Sequence, residues 1–93
     1  MIVGLLTLEL HLPEATSLKS KRSIIKSLKD RIKNKFNVSI AEVGANDLWQ
    51  RSVLGAACVA NETRIINQVL NDVTNLVLKT PDVELIDSAM EML

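Results

Sequence analysis

Eight cations crowd one short stretch of this 93-residue chain: Lys19, Lys21, Arg22, Lys26, Lys29, Arg31, Lys33 and Lys35, with Asp30 the single acid among them. That stretch is +7, and because the chain as a whole is neutral the remainder is −7. Net charge is therefore no guide to partners, whereas the local field over one segment is strongly positive. At 100° per residue, Arg22, Lys26, Lys29 and Lys33 fall within about 60° of one another, a ridge rather than a ring. Like charges at i,i+4, such as Arg22 with Lys26 and Lys29 with Lys33, each cost about 0.2–0.5 kcal/mol, so helix stability alone does not favour the pattern. Ser20, Ser23, Ser27 and Asn34 run beside the ridge and allow a partner close approach. The chemistry this points to is phosphate binding. One Phe, one Trp and no Tyr leave no row of aromatic platforms for single-stranded bases, so recognition would be of backbone and shape in a structured RNA.

Other readings of the same residues stay open. A lysine-rich helix face is often only a solvated surface, and Lys21 can lay its methylenes along the core edge. The ridge can also meet Asp82, Glu84, Asp87 and Glu91 of a neighbouring copy, or dock an acidic protein surface. A further reading places Lys19, Lys21 and Arg22 with the free amides of the first helical turn as a small anion site, since a carboxylate would be preferred there on helix-dipole grounds.

Few other constellations carry chemistry. Trp49-Gln50-Arg51 can contact a base or a partner chain, although a Trp so placed more often caps the end of a core. Glu42 has no visible partner as a catalytic acid and is expected to pair with Arg51 across the intervening loop. Glu9 and His11 share one side of a strand, the spacing of a proton relay, but an interface or surface histidine is the plainer account. Cys58, among Ala56, Ala57, Val59 and Ala60, reads as a small buried hydrophobe. One cysteine and one histidine exclude a disulfide framework and an ordinary zinc site, and no cofactor is implied. There is no glycine-rich phosphate loop, nucleophile elbow or carboxylate cluster, so no enzyme is expected.

The elements that must position these residues are legible from periodicity. Residues 2–12 alternate, with Ile2, Leu6, Leu8, Leu10 and Leu12 on one side and Val3, Leu5, Thr7, Glu9 and His11 on the other, a strand that Pro13 closes. Thr16 or Ser17 caps a helix with the stripe Leu18, Ile25, Leu28, Ile32 and Phe36, and Asn37 suits a left-handed stop. Residues 38–43 form a short strand entering the loop Gly44-Ala45-Asn46-Asp47. Residues 51–60 are apolar on both parities and belong in the middle of a sheet. Asn61 is expected to cap a second helix carrying Ile65, Ile66, Val69, Leu70, Val73, Leu76 and Val77 until Thr80-Pro81, and residues 83–92 make the last strand.

The order β-α-β-β-α-β, with two right-handed crossovers, predicts a single α+β domain over residues 1–93 of ferredoxin-like form: a four-stranded antiparallel sheet with two helices on one face. At 47% hydrophobic and 24% charged the chain is too apolar for disorder, yet a domain this small hides only about 60–65% of its unfolded surface. Val3, Leu5, Val53, Ala57 and Val59 would leave the open sheet face apolar, so a homo-oligomer, a homodimer at its simplest, is expected through it. The apolar opening residues 1–6 lack a basic leader, and Glu9 and His11 follow too soon for a membrane span; a cytoplasmic protein with no membrane partner is expected.

Three blocks, Ser17-Leu18-Lys19-Ser20-Lys21-Arg22, then Phe36-Asn37-Val38-Ser39-Ile40-Ala41-Glu42-Val43, then Leu48-Trp49-Gln50-Arg51, together make the chain resemble the YlxP-like bacterial family over essentially its whole length. The resemblance implies the ferredoxin-like fold. Genes of that family often lie with those for translation initiation and ribosome maturation, which implies a role near the ribosome but supplies no catalytic residues. By matching position the residues to watch are Lys19, Lys21, Arg22, Glu42, Trp49, Gln50 and Arg51. The expectation is thus a non-enzymatic module that binds RNA or the ribosome through Lys19, Lys21, Arg22, Lys26, Lys29, Lys33 and Arg51, with Glu42, Trp49 and Gln50 as partner contacts.

Overall fold

The computed structural model describes all of residues 1–93. Its elements run β1 (Ile2–His11), α1 (Leu18–Lys35), β2 (Ser39–Gly44), β3 (Arg51–Ala60), α2 (Thr63–Leu78) and β4 (Glu84–Met92). The sheet order is β2-β3-β1-β4 and every neighbouring pair is antiparallel. This is the ferredoxin-like α+β arrangement. The two strands with apolar residues on both faces, β1 and β3, hold the centre, because a strand hydrogen-bonded on both edges is the one most fully shielded from water.

The alternation along β1 works as period two requires. Leu6, Leu8, Leu10 and Leu12 are buried under the helices with Leu54, Ala56 and Cys58 of β3, while Thr7 and Glu9 stay exposed on the other side. Ile25, Leu28 and Ile32 of α1 and Ile66, Leu70, Val73 and Val77 of α2 complete the same core. Gly4 is where α2 comes closest to the sheet: a Cβ at that position would overlap Ile66 Cγ2. Both edge strands carry a register shift that leaves one residue unpaired, Val43 in β2 and Ile86 in β4, and such bulges blunt edges that would otherwise template further pairing. No helix is long and apolar enough to cross a membrane.

Ser17, one of the two expected caps, is the N-cap of α1. Two other terminators differ from the sequence expectations. Asn37 is not left-handed: the chain leaves α1 through an extended Phe36, whose ring packs against the core and leads directly toward β2. Asn61 is not the cap of α2. The cap falls one residue later, at Glu62, whose carboxylate pairs with Arg64 at 3.1 Å instead of bonding the helix amides.

Candidate nucleic-acid interface

The start of α1 is shaped by serines. Ser20 N donates to Ser17 Oγ at 3.0 Å, and Ser20 Oγ accepts in return from Ser17 N at 3.2 Å and from Thr16 N at 2.9 Å, a reciprocal box that satisfies backbone donors at the helix entrance. An anion at the first turn would compete with this box. The turn also lacks one of its three expected cations, because Lys21 points inward.

Lys21, grouped by charge with the nucleic-acid-binding residues, is 0% exposed and belongs to the core instead. Its ammonium donates to Ala45 O at 2.6 Å and to Asn46 O at 3.2 Å and lies 3.0 Å from Glu42 Oε2. Glu42 Oε2 also accepts from the buried Ser52 hydroxyl at 2.6 Å. The expected Glu42–Arg51 ion pair does not form, since Ser52, not Arg51, projects to the helix side where Glu42 lies. The reason Lys21 turns inward is visible in the helix wheel: position 21 lies midway along the apolar stripe between Ile25 and Leu28, not on the ridge.

The remaining cations of α1 stand outside, with Lys29 half-buried. Arg31 Nη1 donates to Thr80 Oγ1 at 3.3 Å, which fixes that side of α1 as the one facing α2. Arg22, Lys26, Lys29 and Lys33 lie roughly opposite on the wheel, so the ridge occupies the flank turned away from α2. Lys26 meets Asp30 at 2.8 Å. That hydrogen bond holds the Asp30 carboxyl below its usual range, helped by the fields of Lys33 and Lys29, and it raises the Lys26 ammonium in turn. Lys19, Arg22, Lys29 and Lys33 have no carboxylate within ion-pair distance. The exposed face of α1 thus bears a cationic ridge and the polar stripe of Ser23, Ser27 and Asn34.

Across that stripe the structure adds something not read from the sequence. Arg31, Asn34 and Lys35 of α1 meet Asp72, Asn75 and Lys79, at the end of α2, around an open groove of about 640 Å³. Lys35 lies 5.7 Å from the centre of the Phe36 ring. Lys79 is far from α1 in sequence, and only the antiparallel seating of the two helices brings it here.

The other candidates divide. Gln50 is structural: its Nε2 donates to Pro13 O at 3.2 Å and Ala15 O at 3.3 Å. Trp49 is 54% exposed and does not cap the core. Arg51 is exposed and unpaired. His11 Nδ1 lies 3.2 Å from Glu84 Oε2, so its partner comes from β4, while Glu9 makes no hydrogen bond to it. Cys58 is a buried free thiol. No group of three or more His, Cys, Asp or Glu is arranged to hold a metal. On the open sheet face, Leu5, Thr7, Ala41, Val43, Gly55 and Ala57 surround a shallow hollow of about 310 Å³.

Residues 3–90 match the family model described as Protein of unknown function (DUF503). The chain belongs to that family. It is 36% identical over 83 residues to the Uncharacterized protein YlxP of Bacillus subtilis (strain 168), an alignment covering 89% of this chain and 90% of that one. Among solved structures it is similar to the de novo designed protein Foldit4, at 14% identity and a TM-score of 0.47, over 100% of this chain and 97% of that one. For this DUF503 chain the site must therefore be read from its own residues.

Proposed function

We propose that the chain is a non-enzymatic cytoplasmic module that binds structured RNA, ribosomal RNA included, through phosphates along the outer flank of α1. The observation that carries this reading is the set of Lys19, Arg22, Lys29 and Lys33, gathered on one side of one helix with no carboxylate of the same chain to neutralise them. A ridge with spare positive charge beside small polar residues fits a polyanion, and phosphate contacts need no aromatic sheet. Fluorescence anisotropy against a structured RNA across a salt series is the test. Engagement of four phosphates gives a slope of log K against log salt of about −2.8 to −3.6. The Arg22→Glu, Lys29→Glu, Lys33→Glu triple variant is expected to abolish binding while leaving the fold intact, since none of the three is fully buried. Absence of affinity even at low salt would refute the reading and favour an assembly factor docking an acidic protein surface.

The open sheet face supports a second statement, that the module is a homo-oligomer. Val3, Leu5, Val53 and Ala57 are only half-buried there and Val59 is 57% exposed, an apolar strip that a second copy would cover. Sedimentation at tens of micromolar should show a dimer or larger, reduced to monomer by Val59→Lys; monomer alone for the unaltered chain refutes it.

A further inference from the structure

We propose that the tip of the β2–β3 loop, at Leu48 and Trp49, takes one unpaired nucleobase of the RNA whose phosphates the first turns of α1 hold, an inference that rests on the phosphate-binding reading above. The indole is displayed, not tucked away: Trp49 and Leu48 are each 54% exposed. The loop that displays them is pinned on both sides. Lys21 reaches out of α1 to hold the carbonyls of Ala45 and Asn46, Ala45 adopts a left-handed φ of 57°, and Leu48 N donates to Ala45 O at 3.1 Å. On the far side Leu12 N donates to Gln50 O at 2.9 Å, and the Gln50 amide grips Pro13 and Ala15. A buried ammonium is a costly way to fix a surface turn, and the result is an aromatic ring held ready, with little order left to lose on binding.

The charges around the loop indicate what it meets. Arg51 lies two residues beyond Trp49, and Lys19 and Arg22 belong to the same first turns of α1 that Lys21 ties to the loop, on the helix's outer flank. All three are exposed and without an ion-pair partner. Asp47 lies in the loop and Glu14 beside Pro13, and Glu84 at the same end of the sheet is engaged by His11, the cross-strand partner of Arg51. An indole offers a stacking surface to any base, and the surrounding cations suit the phosphates on either side of that base. A single platform accommodates a single base. The other aromatic ring, Phe36, is half-buried beyond the opposite end of α1. The matching ligand is therefore a helical RNA with one extruded nucleotide, a bulge or the closing base of a loop, and not an extended single strand, which needs successive platforms.

Trp49 is the sole tryptophan in a chain without tyrosine, so intrinsic fluorescence reports on this ring alone. Three hairpins of equal length and charge serve as probes: one with a single bulged purine, one with an abasic residue at the same place, and one fully paired. The bulged hairpin should bind about 5- to 150-fold more tightly than the other two, the range of one stacked base, and should be the one that quenches the emission. Trp49→Ala should erase that preference while leaving the salt slope unchanged, and Trp49→Phe should retain most of it. Equal binding of all three hairpins with unaltered emission overturns this inference and leaves the phosphate reading standing. Failure of every hairpin to bind at low salt overturns both. A Trp49→Ala variant that changes the sedimentation of the free protein, with no change in hairpin preference, would assign the ring to a protein contact and overturn the inference as well.

Discussion

Replacing Lys21 by Ala should damage this protein more than replacing any lysine of the ridge. The substitution removes the ammonium that sits 3.0 Å from Glu42 Oε2 and 2.6 Å from Ala45 O, and leaves behind a carboxylate, a carbonyl at the base of a turn and a cavity where three methylenes had packed. Breaking a buried ion pair by deleting one partner costs about 3–5 kcal/mol. Glu42 keeps the Ser52 hydrogen bond and its side chain is 16% exposed, so water relieves part of the penalty and the lower end of that range, about 3 kcal/mol, applies. A chain of this length has a total stability of about 5–14 kcal/mol, so the loss is a large fraction of the whole. In a thermal melt followed by circular dichroism it corresponds to a fall in Tm of about 12–24 °C. Lys29→Ala and Lys33→Ala, by contrast, should stay within about 0.5 kcal/mol of the parent. The double variant Lys21→Met, Glu42→Leu should recover much of the lost stability, because replacing both members of a buried pair by apolar groups removes the orphaned charge. If Lys21→Ala melts with the ridge variants, the ammonium is in water and the account of a pinned loop fails with it.

Three further outcomes follow from other parts of the molecule. Gly4→Ala forces a methyl into Ile66 of α2 and should destabilise by about 1–3 kcal/mol, measurable by urea unfolding; a neutral effect would mean the helix seats farther from the sheet. Asp30 titrates below the ordinary carboxylate range because it is hydrogen-bonded to Lys26, so its contribution to stability is present above the unfolded value near 3.8 and is lost as pH falls through the lower folded value. An NMR titration should show this depression vanish in Lys26→Ala. Asp30→Asn frees Lys26 on the ridge and should tighten RNA binding and steepen the salt slope by about 0.7–0.9, and an unchanged slope would exclude Lys26 from the phosphate contacts.

Much of the fold was legible because its signals are local and periodic. The two-residue alternation of β1, the double-sided apolar run Arg51–Ala60 and the 3.6-residue stripes of both helices each dictate one element, and one antiparallel sheet with two helices on one face then follows from their order. Helix ends were harder, since Asn37 and Asn61 are good terminators by type, yet the chain leaves α1 through the core-packed Phe36 and α2 begins only at Thr63, behind Glu62. The site divided along the same line. Arg22, Lys26, Lys29 and Lys33 stay on one flank because their spacing alone puts them there. Lys21 shares their charge but not their angle, and its true partners lie 21 to 25 residues away on another element.

By itself the sequence determined the elements, their order and the existence of a cationic helix face, because these depend on periodicity within a few turns of chain. Only the tertiary structure decided which cations face water, that Lys79 joins the far side of α1, and that Trp49 stands exposed on a hydrogen-bonded loop instead of closing the core. Each of those outcomes depends on a residue finding partners from a distant element, and one-dimensional spacing carries no record of which distant groups will be near.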